Sequence, residues 1–168
     1  MAGAPPRGYM AQHWLMKSEP EAYSWDELVK DGSTHWDGVR NYQARNTMRD
    51  DMKIRDMVLF YHSNCKPPHV AGIARVCKEG YPDFTSWDPQ SKYFDEKSNP
   101  DEPRWFMVDI EPVESMQNIV GLAEMKDRPD LEGMPLLARG QRLSVQKVSS
   151  EHFDTVCRMG GIEPPSYS

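Results

Sequence analysis

At 168 residues the chain is long enough for one domain with a single substantial core, and its composition shows no shift that marks a second. With 27% charged and 38% hydrophobic residues, and no apolar run approaching membrane-spanning length, it has the make-up of a globular chain, and no membrane partner is expected. Cys65, Cys77 and Cys157 show no CxxC spacing. That excludes a disulfide framework and a zinc knuckle, so all three are expected unbridged in a reducing intracellular compartment, nuclear or cytoplasmic.

In chain order, residues 1–12, with Pro5-Pro6 and two glycines, read as a flexible tail, and a single domain is expected over 13–165. No signal-peptide core precedes it. Residues 13–17 read as a short strand ended by Ser18-Glu19-Pro20. Ser24-Trp25-Asp26-Glu27 has capping-box spacing, so a helix is expected from Ser24 to Gly32. A second helix over 42–51 would set Ala44 and Met48 on one face and Tyr42, Arg45 and Arg49 on another. Residues 57–62 are a continuous apolar run, expected as a central strand buried on both faces. A turn over 63–68 leads to a strand over 69–77, with Gly72 a bulge or close-approach point.

Residues 81–103, rich in Pro, Asp, Ser and Asn, are expected to form a long loop. Residues 104–113 alternate with strand period: Phe106, Val108 and Ile110 one way, Trp105, Met107 and Asp109 the other. Asn118 is the expected cap of a short helix to Met125, 127–133 a loop, and 142–145 a last strand. Ser149 or Ser150 caps a final helix with Phe153, Val156 and Cys157 inward, stopped by Gly160-Gly161. Strands in succession without long helical crossovers predict an α+β domain, a mainly antiparallel sheet or small barrel flanked by helices.

The most informative segment is 36–46. Between Val39 and Arg49 lie three arginines and no acid, on a chain of net charge −6. A local cationic stretch on an acidic protein points to a surface that meets an anion, and Trp36 and Tyr42 add flat faces of the kind that stack on nucleobases. The alternative is a loop followed by a solvated helix. Trp36 is the first choice for a pocket wall, because it sits in a loop beside Gly38. Trp105 is the second. For both, the alternative is a core tryptophan whose ring nitrogen finds a partner.

Trp14 to Pro20, the 36–46 segment, Phe60-Tyr61-His62-Ser63, Gly72-Ile73-Ala74, Tyr81-Pro82-Asp83 and Arg142-Leu143-Ser144-Val145 together resemble the EVE domain. The resemblance covers residues 13 to about 153, with the motifs in order. It implies a PUA-like fold, a small open β-barrel flanked by short helices, related to the YTH readers of methylated adenine. It also implies a non-catalytic pocket for a modified nucleobase in DNA or RNA, with modified cytosines the leading candidates. The chain shows little of a basic N-terminal extension, so nuclear targeting is not expected to reside there.

A reader of one base must extrude it, stack on its faces and read its edge. The resemblance assigns Lys17, Ser18 and Glu19 to the pocket mouth, where the alternative is a surface turn. Ser18 would donate to or accept from the base edge, and Glu19 would accept from an exocyclic amine. Trp36, Val39, Asn41, Tyr61, His62, Ser63, Asp83 and Trp105 complete the expected pocket. Tyr81-Pro82-Asp83 is its candidate lid. Arg40, Arg45 and Arg49 are the expected phosphate ligands, although Arg49 has acidic neighbours to pair with. Arg142 reads as an internal salt-bridge partner. Loss of Trp36 is expected to cost binding and spare the fold. No cofactor or metal is expected, and a monomer with a nucleic-acid partner is. Two alternatives remain: a small enzyme using Cys65 with His62, and a protein-interaction module using a methionine-rich surface.

Overall fold

The computed structural model describes residues 11–165. Six strands form one mixed sheet: β1 (His13–Ser18), β2 (Thr34–His35), β3 (Met57–His62), β4 (His69–Pro82), β5 (Phe106–Gly121) and β6 (Val145–Val148), in the order β2-β5-β4-β3-β1-β6. The sheet does not close. Only β1 and β3 run parallel, and every other pairing is antiparallel. The α+β class and the open, mainly antiparallel sheet with short flanking helices are therefore what this chain forms.

The flanking helices are α1 (Trp25–Asp31), α2 (Tyr42–Asn46), α3 (Leu122–Lys126) and α4 (Ser150–Met159). Helix α1 begins as its sequence requires: the Ser24 hydroxyl accepts from Glu27 N, the Glu27 carboxylate faces Ser24 N, and Gly32 ends the helix in the left-handed region. Ser149 caps α4.

Strand alternation divides the core into two layers. Leu15, Leu59, Tyr61 and Ile73 face the layer closed by Phe153, Val156 and Cys157 of α4. Trp14, Met16, Val58 and Phe60 face the other, closed by Trp25 and Leu28 of α1, Trp36, and Ala44 and Met48. All six residues of β3 are buried, as its apolar run predicts. Gly72 lies where a Cβ would come within 2.3 Å of the Trp25 ring, so only glycine lets that indole rest on the sheet.

Several expectations need correction. Strand β5 runs eight residues beyond Val113 to Gly121, because pairing with β4 holds a polar stretch that sequence alone reads as a helix cap. Helix α3 consequently starts at Leu122 after Gly121, not at Asn118. Strand β4 continues to Pro82, and the last strand is displaced to Val145–Val148. The two-residue β2 carries no period to detect. The expected 42–51 helix divides into α2 and a wider π turn, Thr47–Asp51, which packs directly on β4: a Cβ on Gly80 would lie 2.7 Å from Arg49 Cα. Most of the expected tail lies outside the described residues. Gln12 within it is held, its N–H donating to Asp56 Oδ1 at 2.9 Å and its carbonyl accepting from Met57 N at 2.9 Å. Cys65, Cys77 and Cys157 are free thiols.

Candidate functional site

The first wall of the site grows from the end of β1. The Ser18 hydroxyl donates to Tyr23 O at 2.6 Å, and Ala22 N and Tyr23 N both donate to Glu19 O at 3.0 Å, folding 18–23 into a closed turn. Strand β3 supports it from beneath. His62 Nδ1 lies 3.1 Å from Ser18 O, and Trp25 N donates to His62 Nε2 at 3.2 Å. A carbonyl can only accept and a backbone N–H can only donate, so the ring is the neutral Nδ1–H tautomer. Burial, opposed by the Ser18 carbonyl, lowers its pKa and keeps it so. Ser63 N also donates to Ser18 O at 3.1 Å.

The second wall is the loop after β2. Trp36 N donates to Val108 O at 2.8 Å. Gly38 then takes φ +80°, and its N–H donates to Asp83 Oδ2 at 2.9 Å. Asp83 is fully buried and also receives Arg40 Nη1 at 3.0 Å and Thr85 N at 2.9 Å. The rest of the Arg40 fork donates to Tyr93 O, at 2.7 Å from Nη2. The Tyr93 ring seats on Gly38, where a Cβ would come within 2.5 Å of it. Asn41 caps α2 by accepting from Ala44 N at 3.0 Å.

Between the two walls lies an open cavity of about 560 Å³, within the range of small-molecule and cofactor sites. Lys17, Ser18, Glu19, Trp36, Val39, Arg40 and Asn41 all line it. Six of these are residues expected in the pocket and the seventh, Arg40, is one expected at a phosphate; they are brought together from two segments that are distant in sequence. Trp36 is at once wall and core. It is 8% exposed and packs edge-on against Phe60 with centroids 5.6 Å apart, so the expectation that the fold is indifferent to its loss is corrected. Among the described residues its indole N–H has no hydrogen-bond acceptor, and Lys17 has no ion pair. Burial lowers the Lys17 pKa.

Other expected residues lie elsewhere. Tyr61 alternates away from His62 into the opposite core layer. His62 and Ser63 support the first wall, and Asp83 the second, from behind. Asp83 is thus a buried anchor, and Tyr81 and Pro82 belong to β4, so that motif is not a lid. Trp105 lies outside this cavity and is well partnered: Tyr42 stacks on it at 4.9 Å, the Arg40 guanidinium lies 5.2 Å from its ring, and its N–H donates to Asp95 Oδ2 at 2.7 Å. Arg45 donates to Arg104 O and Asn46 Oδ1 and covers the Tyr42 ring, while Arg49 pairs with Asp50 at 2.8 Å. Arg40 and Arg45 are thus bound to protein acceptors, whereas Arg49 has only an exposed neighbouring acid as its partner. Arg142 is exposed and has no ion pair among the described residues.

The cavity rim that sequence reasoning missed is Lys92 and Tyr93, from the long loop, where no periodicity announces a contact. The enzyme alternative finds no Cys65–His62 pair. Both His62 nitrogens are used, and the Cys65 sulfur lies 4.0 Å from His69 Nδ1 instead. No metal-ligating cluster occurs among the described residues, and none of their helices is long and apolar enough to cross a membrane.

Comparison with known proteins places this geometry in context. The EVE domain family model matches residues 12–159. The chain is 41% identical to thymocyte nuclear protein 1 of Homo sapiens over 174 residues, covering 92% of this chain and 76% of that protein. Human THYN1 protein, solved in complex with 5-methylcytosine-containing DNA, superposes with a TM-score of 0.84 at 40% identity, over 92% of this chain and all of that one. A protein of Leishmania major superposes with a TM-score of 0.85 at 45% identity, over 90% of this chain and 96% of that one.

Proposed function

This chain belongs to the EVE domain family, and from that premise we propose that it is a non-catalytic, monomeric DNA-binding protein whose cavity between 18–23 and 36–41 receives one modified cytosine. The observation that carries this reading is the pairing of a built cavity with unspent donors. Trp36 and Lys17 line a space of about 560 Å³, and the indole N–H and the ammonium have no protein partner among the described residues. A donor that no protein acceptor has claimed is free to meet a ligand carbonyl or ring nitrogen. Ser18 and Glu19 add acceptors on the facing wall, suited to an exocyclic amine. The human relative solved with 5-methylcytosine DNA supports the choice of DNA and of cytosine. Its name also supports the nucleus as the compartment.

Walls held by Asp83, Arg40 and His62 are organised before any ligand arrives, which limits the ordering cost of binding. Flipping a base out of a duplex costs a few kcal/mol, and one stacked aromatic face returns roughly 1–3 kcal/mol. The polar contacts must supply the remainder, so they decide which base is retained.

Titration of the protein with DNA strands identical except for one cytosine or 5-methylcytosine tests this. Tighter binding of the modified strand is expected, with the preference reduced in Lys17→Met. Equal affinity for both strands overturns base recognition. An unchanged preference in Lys17→Met removes Lys17 from the site, and a modified RNA strand that binds more tightly than the DNA corrects the choice of nucleic acid.

A further inference from the structure

On the far side of Tyr93 the surface falls into a second depression of about 540 Å³, which shares Arg40, Lys92 and Tyr93 with the main cavity. We propose that this depression receives the nucleotide adjacent to the recognised one, its base stacked on Phe94 and the intervening phosphate held by Lys92. The proposal rests on the base-reading function and extends it from one nucleotide to two.

Phe94 is 45% exposed. Of the other exposed aromatics, Tyr42 lies against Trp105 and Phe84 against His35, whereas Phe94 has no ring partner among the described residues. Its backbone is nevertheless fixed. Phe94 N donates to Ser91 O at 3.2 Å, and Asp95 N to Ser86 O at 2.7 Å. An unpaired aromatic face on a hydrogen-bonded turn beside a second depression is a stacking platform whose backbone needs little ordering when a base arrives.

Charge sets the direction of the strand. Lys92 lines both depressions and forms no ion pair among the described residues, whereas Arg40 is neutralised by Asp83. Asp95 and Glu96 border the outer depression. The Asp95 carboxylate accepts from Trp105 N–H and lies 3.9 Å from Arg104, but it stays ionised, so Asp95 and Glu96 together make the outer depression unfavourable for a phosphate. A phosphate is therefore favoured at the Lys92 ridge between the depressions, and a neutral base over Phe94 beyond it.

The test compares a modified cytidine monophosphate with a trinucleotide carrying the same modified base at its centre. Phe94→Ala is expected to weaken the trinucleotide by roughly 5- to 150-fold, the loss of one stacked base, and to leave the mononucleotide unchanged. Phe94→Trp should restore the trinucleotide. Lys92→Ala should weaken the trinucleotide and lower the slope of log affinity against log salt by about 0.7, one single-strand phosphate. Wild-type affinity of Phe94→Ala for the trinucleotide, or equal losses for both ligands, overturns the second subsite while leaving the first cavity standing. A wild-type protein that binds neither ligand overturns the base-reading function and the subsite with it.

Discussion

Trp36 and Trp105 are buried to nearly the same extent, 8% and 5% exposed, yet they are opposite kinds of residue. Trp105 has spent its chemistry: a stacked Tyr42, the Arg40 guanidinium close to its ring, and Asp95 on its N–H. Trp36 packs edge-on with Phe60 and also lines the cavity, and its N–H has no protein acceptor among the described residues. Trp14 and Trp25 resemble Trp105, with N–H groups held by Asp56 and Ser115. What separates a structural tryptophan from a binding one here is unspent valence, and burial does not measure it.

The strongest way to break this comparison is to change Trp36. Trp36→Ala should destabilise by roughly 3–5 kcal/mol, since it opens a hole against Phe60 in the core layer closed by α1. Urea unfolding measures this, and a shift of a few tenths would show that Trp36 is not core at all. Trp36→Phe refines the test, because it keeps a ring and removes the N–H. Oligonucleotide affinity should fall by about fivefold or more, one net hydrogen bond, with a much smaller loss of stability than the alanine variant.

Trp105→Phe should give the reverse pattern: a stability loss of roughly 0.5–1.5 kcal/mol with affinity for a single modified nucleotide retained, since Trp105 does not line the first cavity. It should also change the acid limb of the stability curve. The Trp105 hydrogen bond, followed by Lys97 N–H, holds the Asp95 carboxyl below its ordinary range. The stability from this pair is therefore present above about pH 4, the ordinary aspartate value, and is lost as pH falls through the lower folded value. The variant should lose less between pH 4 and pH 2 than the wild type does, and identical acid limbs would remove Trp105 as the cause.

The smallest effect is expected from Arg49→Ala. Its partner Asp50 is an exposed neighbour in the same turn, so the thermal midpoint should not move measurably. A clear fall in DNA affinity would return Arg49 to the list of phosphate contacts.

Local chemistry was legible wherever it is short-range. The Ser24–Glu27 box, the buried run at 57–62 and the inward stripe of α4 follow from spacing alone. So did the meeting of Lys17-Ser18-Glu19 with 36–41, though only through the ordered set of motifs that resembles the EVE domain. The long β5 was not legible, because a strand in a sheet takes its length from its partner as well as from its own residues. Nor was the division of labour among the aromatics and arginines. Arg40, Arg45 and Arg49 read as a free cationic stripe, and each is held by an acceptor that the local segment does not specify: Asp83 and Tyr93 O, Arg104 O, and one of several available acids.

The sequence by itself determined the class of domain, the caps of α1 and α4 and the central strand, because capping and periodicity act over a few residues and survive without knowledge of the rest of the chain. Only the tertiary structure decided which groups remain free to bind. Tyr93 sits on Gly38 from 55 positions away and Asp83 meets Arg40 from 43, and such contacts are set by how the sheet brings loops together. A donor is available to a ligand only when no such contact has claimed it, and that is a property of the folded surface.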